Sequence, residues 1–175
     1  MSQNRTKIVK TAALLIIAVV LGGLGWGIYS KADAKAETAR RVARLPEVSF
    51  KGLDGRDVLS ADWKGKSTWV VFFHSDCHYC QMEADNIREA EGLRTQVAIK
   101  LISTEPADTL RAFAARYGLD TLPNVQLLTD PNHANYLTFG ATSTPTSFLY
   151  DAEGALIEKF SGVVKGESVL RFAGK

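Results

Sequence analysis

The spacing of apolar and polar positions divides the chain before any residue is considered for chemistry. "TAALLIIAVVLGGLGWGIY" (Thr11 to Tyr29) carries no charge over nineteen positions and is apolar on every side. From Pro46 onward short apolar runs alternate with amphipathic ones. "EVSFKGLDGRDVLS" predicts a hairpin turning at Asp54-Gly55. "STWVVFFH" (Ser67 to His74) is continuously apolar, aromatic and β-branched, as expected of a central strand buried on both faces. "CQMEADNIREAEGL" places Cys80, Ala84 and Ile87 on one helical stripe, with Gly92 as a stop. "VAIKLIS" predicts a strand, and "EPADTLRAFAARYGL" a helix with Leu110, Phe113 and Ala114 on one side and Gly118 at its end. A strand at "NVQLLTD", a short helix ending at Gly140, a hairpin about Ala152-Glu153-Gly154 and a C-terminal helix complete the series. This alternation predicts an α/β fold with a central mixed sheet flanked by helices, extended by the N-terminal hairpin.

The apolar run at 11–29 is read as a single transmembrane helix. At 1.5 Å per residue it extends roughly 28 Å, near the thickness of a hydrocarbon core, and Trp26 and Tyr29 suit an interface. A cleavable signal peptide is the rival reading, because small-residue sites such as Ala32-Asp33-Ala34 follow. The domain boundaries expected are a basic tail at 1–10, an anchor at 11–29, a charged linker at 30–45 that is either helical or solvated, and a folded domain at 46–175. Arg5, Lys7 and Lys10 ahead of the run, and a long domain behind it, favour an inner-membrane, single-pass topology. The domain then faces the periplasm or its extracytoplasmic equivalent.

Charge changes the picture only when divided. Residues 1–45 hold eight Lys/Arg against Asp33 and Glu37, whereas 46–175 hold 13 basic and 17 acidic residues. The folded part is therefore mildly acidic. A nucleic-acid-binding domain needs a basic face of its own, so that class is excluded.

The chemistry centres on "VFFHSDCHYCQMEADNI", which contains both cysteines of the chain, Cys77 and Cys80. Because both lie in one motif, no stray thiol can mispair in an oxidising compartment. The pair falls where a strand ends and a helix begins, the usual place for a site in an open α/β sheet. There the helix N-terminus stabilises a thiolate on Cys77, making it the nucleophile, and Cys80 on the buried stripe becomes the resolving thiol. Haem attachment requires a histidine after the second cysteine, and Gln81 stands there. A structural zinc site would have to recruit His74 or His78. Cu(I) bound by Cys77, Cys80 and His133 is the softer metal alternative, and two packed core cysteines are the bland one.

These residues resemble membrane-anchored thioredoxin-like proteins of the TlpA/ResA kind over 46–175. Four stretches carry the likeness: "VVFFHSDCHYC"; Glu83, in a C-x-x-C-x-x-E pattern; "STPTSFLYDAEGALIEKFSG", whose Thr144-Pro145 matches the cis-proline loop; and "DWKGKSTWVVFF". The resemblance implies a thioredoxin-like fold and thiol–disulfide exchange with protein partners, as a reductant fed by a membrane electron donor and akin to those of cytochrome c maturation. It assigns proton management to Glu83 and substrate binding to Thr144, Pro145, His78 and Tyr79. It requires no organic cofactor or metal. Asp76 and Tyr79 depart from the tryptophan and proline common in relatives; Asp76 is expected to raise the pKa of Cys77 and a protonated His78 to lower it. A tyrosine beside the second cysteine also occurs in disulfide isomerases, so oxidase or isomerase activity stays open. A peroxiredoxin would place Thr or Ser where His74 stands, and Sco-type copper carriers have one more residue between their cysteines.

Overall fold

A computed structural model describes the backbone of residues 2–174, and their side chains except those of 2–19, 24 and 28. The chain divides into two compact units, residues 1–39 and 40–175. The first consists of most of helix α1 (Ser2–Val42). The transmembrane helix in the expected fold class is corrected here, because among the described residues no helix is long and apolar enough to cross a membrane. The aliphatic half of the expected span, 11–19, lies outside the described side chains. The described half carries Gly22, Gly23, Gly25 and Gly27.

The second unit begins ahead of Pro46. Val42 and Leu45 are buried, Leu45 N–H donates to the Gly154 carbonyl (2.7 Å), and Arg44 forms an isolated bridge with Ala155. The last turn of α1 therefore packs onto this unit, where a linker was expected up to residue 45.

Its sheet has seven strands in the order β2-β1-β5-β4-β3-β6-β7. They are β1 (Ser49–Gly52), β2 (Asp57–Leu59), β3 (Thr68–Phe72), β4 (Ala98–Ser103), β5 (Val125–Thr129), β6 (Thr146–Tyr150) and β7 (Leu156–Ser161). β3, β4 and β5 are parallel, while β1, β2, β6 and β7 pair antiparallel with their neighbours, which makes the sheet mixed. All five residues of β3 are buried, because helices cover both of its faces. Alternation along β3 sends Trp69, Val71 and Phe73 to one side and Val70 and Phe72 to the other. The first side packs on Cys80, Ala84 and Ile87 of α2 (His78–Glu89) and on Leu110, Phe113 and Ala114 of α4 (Ala107–Tyr117). The second packs on Phe50, Trp63 and the aromatics of α5 (Ala134–Phe139).

Two helix ends differ in kind. Gly118 closes α4 in the left-handed conformation (φ 66°), its N–H returning to the Ala114 and Ala115 carbonyls. Gly92, expected to stop α2, does not: α2 ends at Glu89, and Gly92 has φ −60°. A short helix, α3 (Leu93–Gln96), follows, and the C-terminal α6 (Gly166–Ala173) packs close to it. A Cβ on Gly92 would lie 2.7 Å from Leu170 Cδ1, and one on Gly166 only 2.3 Å from Ala90 Cβ. These glycines allow close approach of packed helices.

Candidate active site

The site is built where β3 runs out. Past Phe73 the chain turns through His74, Ser75 and Asp76, with Cys77 N–H donating to the His74 carbonyl (3.1 Å). Cys77 is the N-cap of α2, in extended conformation (φ −78°, ψ 114°), and its Sγ accepts the Cys80 N–H at 3.4 Å. The Cys77 thiol also points to the Thr144 carbonyl, 3.5 Å away. Both cysteines are free thiols, Cys77 partly exposed and Cys80 buried.

Their acidities are split. Partial burial alone would raise Cys77, but hydrogen bonds from the Cys80 side chain and N–H, with those of Thr144 and Tyr79, outweigh it and lower its pKa below the usual thiol value. The expected contest between Asp76 and His78 does not decide the matter, since both side chains are exposed and the lowering comes from hydrogen bonds. Cys80 is pushed up to about 12, first by burial and then by its neighbour Cys77. One turn on, Glu83 is 1% exposed and neither carboxylate oxygen has a hydrogen-bond partner. Burial pushes its pKa up to about 8, reinforced by charge on Cys77. The Val164 N–H works the other way but stays outside hydrogen-bonding geometry. Cys80 and Glu83 line one small cavity of about 10 Å³, closed by Val71, Phe73, Leu101 and Phe113. That is room for about one water.

The Thr144–Pro145 peptide bond is cis. Its loop is held by Thr146 Oγ1 donating to the Ser143 carbonyl (2.6 Å) and by Gly162 N–H donating to the Pro145 carbonyl (2.9 Å). Cys77, Cys80, Glu83, Thr144 and Pro145 are thus brought together. His78 and Tyr79 flank them at the surface, their rings 5.9 Å apart. His133, at φ 55°, stacks edge-on against Tyr136 at 5.5 Å. It forms no cluster with the cysteines, and among the described residues no group of three or more His, Cys, Asp or Glu side chains is arranged to hold a metal.

Two residues that the sequence did not single out hold this loop. Glu105, just past β4, accepts the Ser75 N–H (2.8 Å), the Ser75 hydroxyl and the Ser103 hydroxyl (2.9 Å), and lies 3.7 Å from His74 Nδ1. Burial would raise its pKa, but the Ser75 and Ser103 bonds and His74 outweigh that and lower it. Gln81 Nε2 donates to the Ser75 carbonyl, so the residue two before Cys77 is fixed from several sides. Tyr136 Oη shares its one proton between the Phe73 carbonyl (2.9 Å) and the Ile102 carbonyl (3.0 Å), tying the ends of β3 and β4 together. No local signal marks either residue, because Glu105 is 30 positions from Ser75 and Tyr136 is 63 from Phe73.

A thioredoxin-like sheet, an N-capping thiol of lowered pKa, a buried partner thiol and a cis-proline loop define a thiol–disulfide oxidoreductase. Residues 43–159 match the AhpC/TSA family, and the chain belongs to it. It is similar to the thiol-disulfide oxidoreductase ResA of Geobacillus thermodenitrificans, at 23% identity over 172 residues, covering 97% of this chain and 95% of the relative. It is also similar to ResA of Bacillus subtilis, at 20% identity, covering 94% and 89%. Among solved structures, MTB DsbF shares the fold with a TM-score of 0.64 at 21% identity, covering 77% of this chain and 95% of that one. A putative thiol:disulfide interchange protein DsbE from Chlorobium tepidum does so with a TM-score of 0.61 at 19% identity, covering 74% and 94%.

Proposed function

We propose that this oxidoreductase works as a reductant of disulfides in protein partners outside the cytoplasm. The observation that carries the exchange chemistry is the asymmetry of the two thiols: Cys77 partly exposed and of lowered pKa, Cys80 buried and raised to about 12. The Cys77 thiolate attacks a partner disulfide, forming a mixed disulfide and releasing one partner thiolate. Cys80 then gives its proton to the Glu83 carboxylate and attacks Cys77 Sγ. The internal disulfide forms, the second partner thiolate leaves, and two electrons have passed to the partner. A carboxyl with a pKa of about 8 exchanges protons readily near neutral pH. Thr144, Pro145, His78 and Tyr79 form the rim on which the partner is seated. The direction of electron flow, recharging by a membrane electron donor and a part in cytochrome c maturation are drawn from the TlpA/ResA resemblance. The extracytoplasmic setting is supported by the confinement of both cysteines to one motif.

The test is the reduction potential of Cys77/Cys80 in the full chain, equilibrated in glutathione buffers and trapped by alkylation. A value at or below about −220 mV is expected of a reductant; one near about −120 mV means an oxidase and overturns the direction.

A further inference from the structure

The sheet ends on the substrate side in β7, an edge strand, and α6 runs back beside it. Between them lies a groove of about 460 Å³ with a floor of Phe160 and Phe172, whose rings meet edge to face at 5.7 Å. Among the described residues its lining includes Lys159, Lys165 and Arg171, with Ser161 and Ser168, and no acidic side chain. The nearest acids along the chain, Glu158 and Glu167, are not among the lining residues. Lys159 lies over the Phe148 ring at 5.0 Å. Lys165 and Arg171 are exposed and have no ion-pair partner among the described residues. A cationic groove stands out here because residues 46–175 carry 17 acidic against 13 basic residues.

The groove begins beside the site, since Ser161 of its lining pairs with Thr146, two positions after Thr144. Thr144, whose carbonyl faces the Cys77 thiol, precedes Pro145, and the Pro145 carbonyl accepts the N–H of Gly162 at the groove's mouth. Thr146 pairs with Ser161, and Asn86 Nδ2 of α2 donates to the Val164 carbonyl, fixing the segment that joins the two. A partner chain seated at Thr144 therefore lies beside the near end of the groove, at Ser161.

We propose that this groove binds an acidic, extended segment of the partner flanking its disulfide, so that the enzyme selects protein disulfides with carboxylates on one side. The inference rests on the exchange function proposed above. Lys165 and Arg171 are six residues apart, about 9 Å along a helix, a distance spanned by about three residues of extended chain. Because side chains of an extended chain alternate sides, the recognised pattern is a pair of Asp or Glu two or four residues apart on one side, with an apolar or aromatic side chain on that same side for the Phe160–Phe172 floor.

The experiment uses the reduced full-length protein and three substrates. Two are synthetic peptides, each with one internal disulfide, differing only in an Asp-rich or a Lys-rich arm; the third is the neutral hydroxyethyl disulfide. The readout is the second-order rate constant for single-turnover oxidation of the reduced protein by each peptide, divided by that for the neutral disulfide. The acidic-armed peptide is expected to be preferred by about three- to tenfold at low ionic strength, falling below about twofold at 1 M salt. Lys165→Glu with Arg171→Glu is expected to reverse the order. Equal rates for the two arms in the wild type at low salt, or a preference that survives charge reversal, overturns the proposal. Equal rates together with binding to phosphatidylglycerol-containing vesicles that needs Lys165 and Arg171 overturns it in favour of a lipid surface. The wild-type salt dependence stands even if the double variant does not fold. Failure of the wild type to reduce the neutral disulfide sinks the exchange reading instead, and so is told apart.

Discussion

Glu83 offers the sharpest test, because its burial fixes both a sign and a size. Folding moves this carboxyl from an ordinary 4.5 to about 8, mainly by desolvation. The native state therefore binds its proton more tightly than the unfolded chain does. Its contribution is absent below the unfolded value, and it costs stability progressively as pH rises from about 4.5 to about 8. At about 1.4 kcal/mol per pH unit, the full cost above pH 8 is about 5 kcal/mol, and about 2–3 kcal/mol of it falls between pH 5 and 7. Glu83→Gln keeps the size and removes the titration. The buried amide brings a desolvation cost of about 1–3 kcal/mol, but that cost is the same at every pH, so the slope is diagnostic. The assay is urea denaturation of the reduced protein at pH 5, 6 and 7, followed by tryptophan fluorescence. The wild type should lose about 2–3 kcal/mol relative to Glu83→Gln across this pH range. Parallel stability curves would mean that Glu83 is hydrated or hydrogen-bonded in solution, and the argument for its role in proton transfer would fall with that result.

The other predictions concern the thiols, the loop and the packing. Cys80→Ser should trap mixed disulfides through Cys77 in cells, seen as reductant-sensitive bands on non-reducing gels; an absence of such adducts counts against exchange with proteins. Alkylation of Cys77 should follow a thiolate titration with a midpoint below that of free cysteine, about 8.5, while Cys80 stays unreactive in the same range. Glu105→Gln weakens the hold on Ser75 and should shift that midpoint, while changing stability by no more than about 1–2 kcal/mol. An unchanged alkylation profile would reduce Glu105 to a packing role. Gly166→Ala places a Cβ 2.3 Å from that of Ala90 and should destabilise by about 1–3 kcal/mol in thermal or urea melts, whereas Gly55→Ala meets no neighbour and suffers only from its positive φ.

Much of the active-site neighbourhood was legible because it depends on short-range rules. The apolar run Thr68–Phe72 can satisfy itself only as a strand covered on both faces, and β3 is that strand. The three-residue step from Cys77 to Cys80 across a strand–helix junction leaves the first thiol at the N-terminus and turns the second inward, as the fixed geometry of a helix requires. The burial of Glu83 was not legible in this way, because a first-turn carboxylate equally suits solvent and only the fold supplies the small apolar-walled cavity that receives it. What the sequence did not determine depends on contacts between distant segments. Glu105 and Tyr136 become part of the site only because the sheet order sets β3 beside β4 and folds α5 over their ends. The close approach at Gly92 and Gly166 arises from helix packing and not from helix termination, and no local pattern separates those two uses of glycine. The reading of residues 11–29 as a membrane span rested on the length of a charge-free run and on Trp26 and Tyr29 at its end. By itself, then, the sequence determined which thiol caps the helix, which turns inward and where the sheet is buried, since those follow from backbone geometry and periodicity. Only the tertiary structure decided how far each acidity moves and what holds the loop still. Desolvation and hydrogen bonding depend on which groups the fold brings together.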